Sequence, residues 1–231
     1  MSEEKQALLE ITDERGASRL EAFSDGVIAV AITLLVLEVH VPDIGVLKMP
    51  LLDALGQQWA SYLGYVTSFL VIGIFWANHH LLFKYIKRTD HFFLLINTLF
   101  LMCIAFVPFG TSLIETYMQK GKLLDERIAA IVYSGILLLC AITFSAVWLY
   151  ASWKHRLLRQ DLDPRIIQRI TRGYLIGSPL YLLSLVFSLI DVRVSLALYI
   201  LVALVYSWPV DRIPFRKRTV EKQEMEVTPG S

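Results

Sequence analysis

The sequence predicts an all-α membrane protein with six transmembrane helices per subunit, and three observations carry that expectation. The 231 residues are 55% hydrophobic and 19% charged. The apolar residues fall in runs long enough to cross a bilayer. The charges collect between those runs, on alternate sides. No large soluble domain fits in what remains.

The elements follow in order. Residues 1 to 18 are acidic and polar, without the basic start and short apolar core of a cleaved signal. They read as a cytoplasmic N-terminal segment ahead of a retained first span, 19 to 39. The second span is expected at 56 to 83, ending in Trp76, Asn78, His79 and His80 just before Lys84, Lys87 and Arg88. The third is expected at 91 to 118 and the fourth at 128 to 153, where Trp148 to Trp153 mark an interface. The fifth, 166 to 190, begins in the basic stretch Arg165 to Arg172. A very short turn makes it an antiparallel hairpin with the sixth, 192 to 210. Residues 19 to 211 thus form one transmembrane domain without internal repeats, and 212 to 231 read as a disordered cytoplasmic tail.

With the N-terminus inside, seventeen of the 22 Lys and Arg residues fall on the cytoplasmic side. They lie before and at the first span, at 84 to 88, at 154 to 172 and at 212 to 222. Lys48, Lys120, Lys122, Arg127 and Arg193 fall outside. This positive-inside bias places both termini in the cytoplasm, in a plasma-membrane protein. The net charge of +1 conceals it. The basic segments at 154 to 172 and 212 to 218 set orientation and touch anionic headgroups; nothing points to nucleic acid. Cys103 and Cys140 lie within spans and read as ordinary buried thiols.

The most informative segment is Arg19, Phe23, Ser24 and Asp25, spelling R-x-x-x-F-S-D at the mouth of the run Gly26 to Leu37. A charge at mid-bilayer costs about 2.5 to 3.5 kcal/mol, so these side chains need partners or a role. At about 100° per residue, Phe23, Gly26, Val27, Val30, Thr33, Leu34 and Leu37 share one helix face, while Asp25 points toward the subunit's own interior. The apolar seam suits helix association around an axis, although most such stripes pack within their own chain. Arg19 and Asp25 are six apart and cannot pair along one face. A histidine from the second span, His79 or His80, is expected to join them in a buried network. Adjacent histidines diverge by about 100°, which makes a poor chelating pair. Glu38 and His40 stand at the outer end of the first span, where a ring of acids would attract cations.

The motif of Arg19, Phe23, Ser24 and Asp25, continuing through Gly26 to Glu38, resembles the transmembrane protein 175 family of potassium channels in its six-span bacterial form. The span count, the cytoplasmic termini and the Trp76 to His80 cluster extend the likeness; the later spans match by hydropathy only. The resemblance implies a homotetramer in the bilayer with the first span lining a central path for K+ and other monovalent cations, without a cofactor. It maps the hydrophobic constriction onto Val30, Leu34 and Leu37, a selectivity-linked hydroxyl layer onto Thr33, and a structural polar network onto Arg19, Ser24, Asp25 and His79 or His80. Where relatives carry Ile or Leu this chain has Val30, which implies a wider constriction and a lower dewetting barrier.

The Thr-Val-Gly-Tyr-Gly potassium filter is absent, and Gly64-Tyr65 inside the second span reads as helix packing. Selectivity then rests on first-span side chains, which argues for modest discrimination between potassium and sodium. A proton- or ion-coupled transporter using Asp25 and a second-span histidine is the alternative, with Pro108 and Pro179 able to break the third and fifth spans. An enzyme is not expected: no His-Glu-x-x-His or Gly-x-Ser-x-Gly pattern occurs. His91 and His155 are isolated, and Glu115 and Asp191 are expected at solvated interfaces. No span carries the regularly spaced arginines of a voltage sensor.

Overall fold

A computed structural model describes residues 3–42, 49–120, 122–159 and 161–207. The architecture is all-helical: α1 (Glu3–Leu34) tightens into a 3-10 turn (Leu35–Glu38), and α2 (Leu51–Gln57) and α3 (Trp59–Phe83) follow. Next come α4 (His91–Ala105), α5 (Val107–Lys120), α6 (Leu123–Ser152), α7 (Pro164–Ser188) and α8 (Val192–Tyr206). Among the described residues, Arg15–Glu38, Trp59–Phe83, His91–Met118, Leu123–His155 and Pro164–Ser188 are long and apolar enough to cross a bilayer. At 15 residues, α8 spans only about 22 Å. The expected continuation of the sixth span to 210, and the expected tail from 212 to 231, lie outside the described residues.

Local chemistry sets the boundaries. The Asp90 carboxylate accepts from the Phe93 amide and starts α4, and Asp163 and Asp191 cap α7 and α8 in the same manner. The third predicted span is interrupted at Phe106. Pro108 cannot donate to the carbonyl of Ile104 and its ring crowds it, so the helix stops and restarts with Pro108 in the first turn of α5. Pro179, by contrast, sits inside an unbroken α7. At the other end of the first span no break separates residues 3 to 18 from the membrane run, because α1 is continuous across Arg19.

The most enclosed helix is α6, which packs against α4, α5, α7 and α8. Its Trp148 is fully buried and donates to Thr171 of α7 at 2.8 Å, while Phe144 meets Phe75, Phe100 and Tyr174. Gly110 permits the close crossing of α5 on α6: a Cβ there would stand 2.8 Å from Ile136 Cδ1 and 3.0 Å from Tyr133 Cδ2. Gly110→Ala should therefore overpack this crossing and cost about 1–3 kcal/mol, read as a lowered unfolding temperature in detergent. The segment after α6 reverses through Lys154 and His155, both left-handed at φ 53° and 56°. It then pairs with the α3–α4 connection through Lys87 N to Leu157 O (2.9 Å) and Arg159 N to Tyr85 O (3.1 Å). The two basic connections thus form one ledge at the same end of the bundle.

Candidate ion-conduction site

The first helix has two chemically distinct faces, and only one is used inside the subunit. Leu20, Ser24, Ile28, Ala31 and Leu35 recur at helical spacing and are buried, Ser24 and Leu35 completely, against α3 and α4. The opposite face carries Phe23, Val30, Leu34 and Leu37, with Val30 57% and Leu37 67% exposed. Gly26 and Thr33 are exposed beside them. Most of the apolar seam therefore lies open on the surface of the subunit, with only Val27 partly packed against the core. Together with Ala105 of α4, Phe23, Gly26, Val27, Val30 and Leu34 line an open apolar groove along this face.

Two further details shape that face. Thr33 Oγ donates to the carbonyl of Val30 at 2.9 Å, so its hydrogen is directed along the helix and its lone pairs remain outward. From Leu35 the backbone tightens to 3-10 geometry. Residues three apart then eclipse, which brings Leu34 and Leu37 into line along the axis.

The polar residues at the start of the apolar run separate into two networks where one was expected. On the buried side, His79 Nε2 meets Asn97 Oδ1 at 3.0 Å, Asn97 Nδ2 donates to Ser24 Oγ at 2.9 Å, and Ser24 Oγ donates to Leu20 O at 2.8 Å. With the amide so oriented, the His79 proton belongs on Nε2, and the chain of donors runs in one direction from α3 through α4 to α1. His79 is fully buried, its ring stacked on Phe100 and tilted against Phe83. On the exposed side, Trp76 Nε1 donates to Asp25 Oδ1 at 2.9 Å, Trp76 stacks on His80, and His80 Nδ1 lies 2.8 Å from Glu21 Oε1.

This corrects the expected arrangement in three respects. Asp25 is only half-buried and is held by a tryptophan, not by a histidine. Arg19 is exposed and makes no hydrogen bond or ion pair among the described residues, so it joins neither network. Both histidines are used, in different networks, because neighbouring positions on a helix diverge by about 100°. Two participants escaped the sequence reading. Asn97 is an amide within the apolar stretch His91 to Ala105, an anomaly that flags a buried polar role. Glu21 stands one turn before Asp25, where it resembled any solvated charge.

At the far end of α1, His40 Nδ1 meets the Glu38 carbonyl at 2.7 Å, and Gln58 Nε2 donates to the His40 carbonyl at 2.8 Å. Glu38 is half-buried and His40 exposed. Glu115 departs from expectation: rather than lying at a solvated interface, it is 5% exposed between α5 and α3. Asp191 is exposed, and Cys103 and Cys140 are free, buried thiols. Among the described residues no group of histidine, cysteine and acidic side chains is arranged to hold a metal.

Residues 19–108 match the model of a family described as the endosomal/lysosomal potassium channel TMEM175. A potassium channel of Chamaesiphon minutus is 40% identical over 87% of this chain and 98% of its own length. One of Streptomyces collinus is 38% identical over 87% and 96%. The fold is similar to the crystal structure of a lysosomal potassium-selective channel TMEM175 homologue from Chamaesiphon minutus, with a TM-score of 0.76 and 38% identity over 84% of this chain and 97% of that one.

Proposed function

The chain belongs to the TMEM175 family and is a potassium channel, not an enzyme; from that premise we propose that four copies assemble with the exposed face of α1 around a central path. The carrying observation is the division of α1: its packed face is satisfied within the subunit, and Phe23, Val30, Leu34 and Leu37 on the other face are left exposed there. Four-fold closure would bury that stripe and place Val30, Leu34 and Leu37 as successive apolar rings. Dewetting of such rings supplies the barrier to ion passage, and the methyl groups of Val30 leave a wider ring than Ile would. The alternative of a coupled transporter is not favoured by relatives that are channels.

In this reading Thr33 offers lone pairs to a cation between the Val30 and Leu34 rings, because its proton is committed to the Val30 carbonyl. Side-chain hydroxyls replace hydration water less completely than rings of backbone carbonyls, so potassium is favoured over sodium only modestly. The positive-inside bias supports a cytoplasmic position for residues 1–18 and for the ledge formed by the α3–α4 and α6–α7 connections, in a protein we assign to the plasma membrane. Glu38 then stands at the outer entrance. The direct test is potassium flux into liposomes containing purified protein with no proton gradient: flux down the ion gradient, partly reduced when sodium replaces potassium, supports the reading. Flux that starts only when a proton gradient is imposed would overturn it.

Four Glu38 carboxylates around the entrance would raise the local cation concentration. Glu38→Gln should lower inward current by about two- to threefold at low ionic strength and by much less at high salt, where charges are screened. Single-channel recording over a salt series checks this.

A further inference from the structure

Glu115 is a buried carboxylate that ion conduction along α1 does not use. It lies on α5 near the outer end of the span His91–Met118, and its Oε1 has no hydrogen-bond partner. The fold makes room for it deliberately. A Cβ at Gly64 of α3 would stand 2.6 Å from Oε1 and 2.8 Å from Cγ, so only glycine lets the carboxyl lie against that helix. Of the helices packed on it, α3 presents the Ser61 hydroxyl near the carboxyl and no charged group. The 3-10 turn presents Glu38, a second acid, and α6 presents Tyr133, whose hydroxyl is held by Ser68 at 2.9 Å. From α1 and α4 no titratable side chain among the described residues bears on it.

An ionised carboxylate in apolar surroundings with one orphan oxygen, one hydroxyl and a neighbouring acid is costly. A metal ion would require several further oxygen ligands, which this site does not offer. A proton requires none, since it neutralises the group and turns one oxygen into a donor. We propose that Glu115 is a proton-binding site coupled to the outer turn of the pore-lining helix. The coupling follows from packing: the turn Leu35–Glu38 rests on both α3 and α5, and it carries Leu37 and Glu38. With its proton, Glu115 is a neutral filler under that turn. Without it, Glu115 adds a negative charge near Glu38 beside the entrance, which favours cation entry.

The coupling rests on the channel reading above, whereas the proton site does not, and two measurements separate them. The first modifies the full-length channel in liposomes with dicyclohexylcarbodiimide, which adds to the O–H of protonated carboxyls in apolar surroundings. Peptide mass spectrometry should find the adduct on Glu115 and not on exposed Asp191, with labelling falling at least about tenfold between about pH 5.5 and about pH 9. An unlabelled Glu115 at acid pH would overturn the site irrespective of any variant. The second records inward potassium current at outside pH values of about 5.5 and about 8.5. Parent current should rise about threefold, and Glu115→Gln, which keeps the size and neutrality of the protonated acid, should hold the acid-level current at both. An unchanged pH response in Glu115→Gln would overturn the coupling.

Discussion

Val30→Trp should reduce potassium flux into proteoliposomes by at least about tenfold, the largest functional effect expected of any single substitution here. In the proposed four-fold assembly the side chain occurs four times in one ring, so each gain in bulk is applied four times around the path. The effect would not come from a damaged subunit, because Val30 is 57% exposed and the buried face of α1 is carried by Leu20, Ser24, Ile28, Ala31 and Leu35. Val30→Ile should lower open probability and conductance by a smaller factor, since it adds one methylene to each side chain of the proposed ring. A graded series of Val, Ile and Trp identifies a radius-dependent gate. Undiminished flux in Val30→Trp, in protein that elutes and unfolds as the parent does, would place the ion path elsewhere.

Most of the architecture was legible because hydrophobic run length and charge placement are written directly in the chain. The seam on α1 could be read from spacing alone. Its exposure could not, since a stripe that packs inside a subunit and one that packs between subunits have the same periodicity. The break at Phe106 was signalled by Pro108, but Pro179 carried the same signal and α7 runs through it; neighbouring helices decide whether freed carbonyls are satisfied. The polar networks were the least legible. Two histidines in sequence looked like alternatives for one site, and the answer depended on Asn97, a residue from a different helix. Arg19, the most conspicuous charge in the motif, contributes to neither network among the described residues, and Glu115, the most buried carboxylate among them, stood in no motif at all.

The division of labour between the two faces of α1 also explains why the helix needs a polar anchor. In the proposed assembly α1 leaves one apolar face to neighbouring copies and must be held in register by the other, where Ile28, Ala31 and Leu35 supply only non-directional packing. Even a partial rotation of the helix about its axis would carry Val30 out of the proposed ring, by about 100° for each residue of slip. The directed chain from His79 through Asn97 to Ser24 removes that freedom, since hydrogen bonds fix both rotation and depth. On the other side Trp76 on Asp25 and His80 by Glu21 clasp the same turn. These residues are therefore expected to act on flux through the position of α1.

Asn97→Leu should accordingly be the most destabilising change at the site. It leaves the His79 Nε2 proton without an acceptor in a fully buried position, at a cost of about 2–3 kcal/mol. Ser24 is less affected, because its own proton still reaches Leu20 O. The informative comparison is the double variant His79→Phe with Asn97→Leu. If the penalty comes from an orphaned donor, replacing both partners by apolar groups restores much of the lost stability, and the double variant unfolds at a higher temperature than Asn97→Leu alone. Potassium flux should not recover in parallel: with the directed chain gone, α1 regains its rotational freedom and the ring at Val30 loses definition. Stability rescued together with flux would mean that packing alone sets the register of the pore helix. Additive destabilisation in the double variant would mean that His79 and Asn97 do not depend on each other.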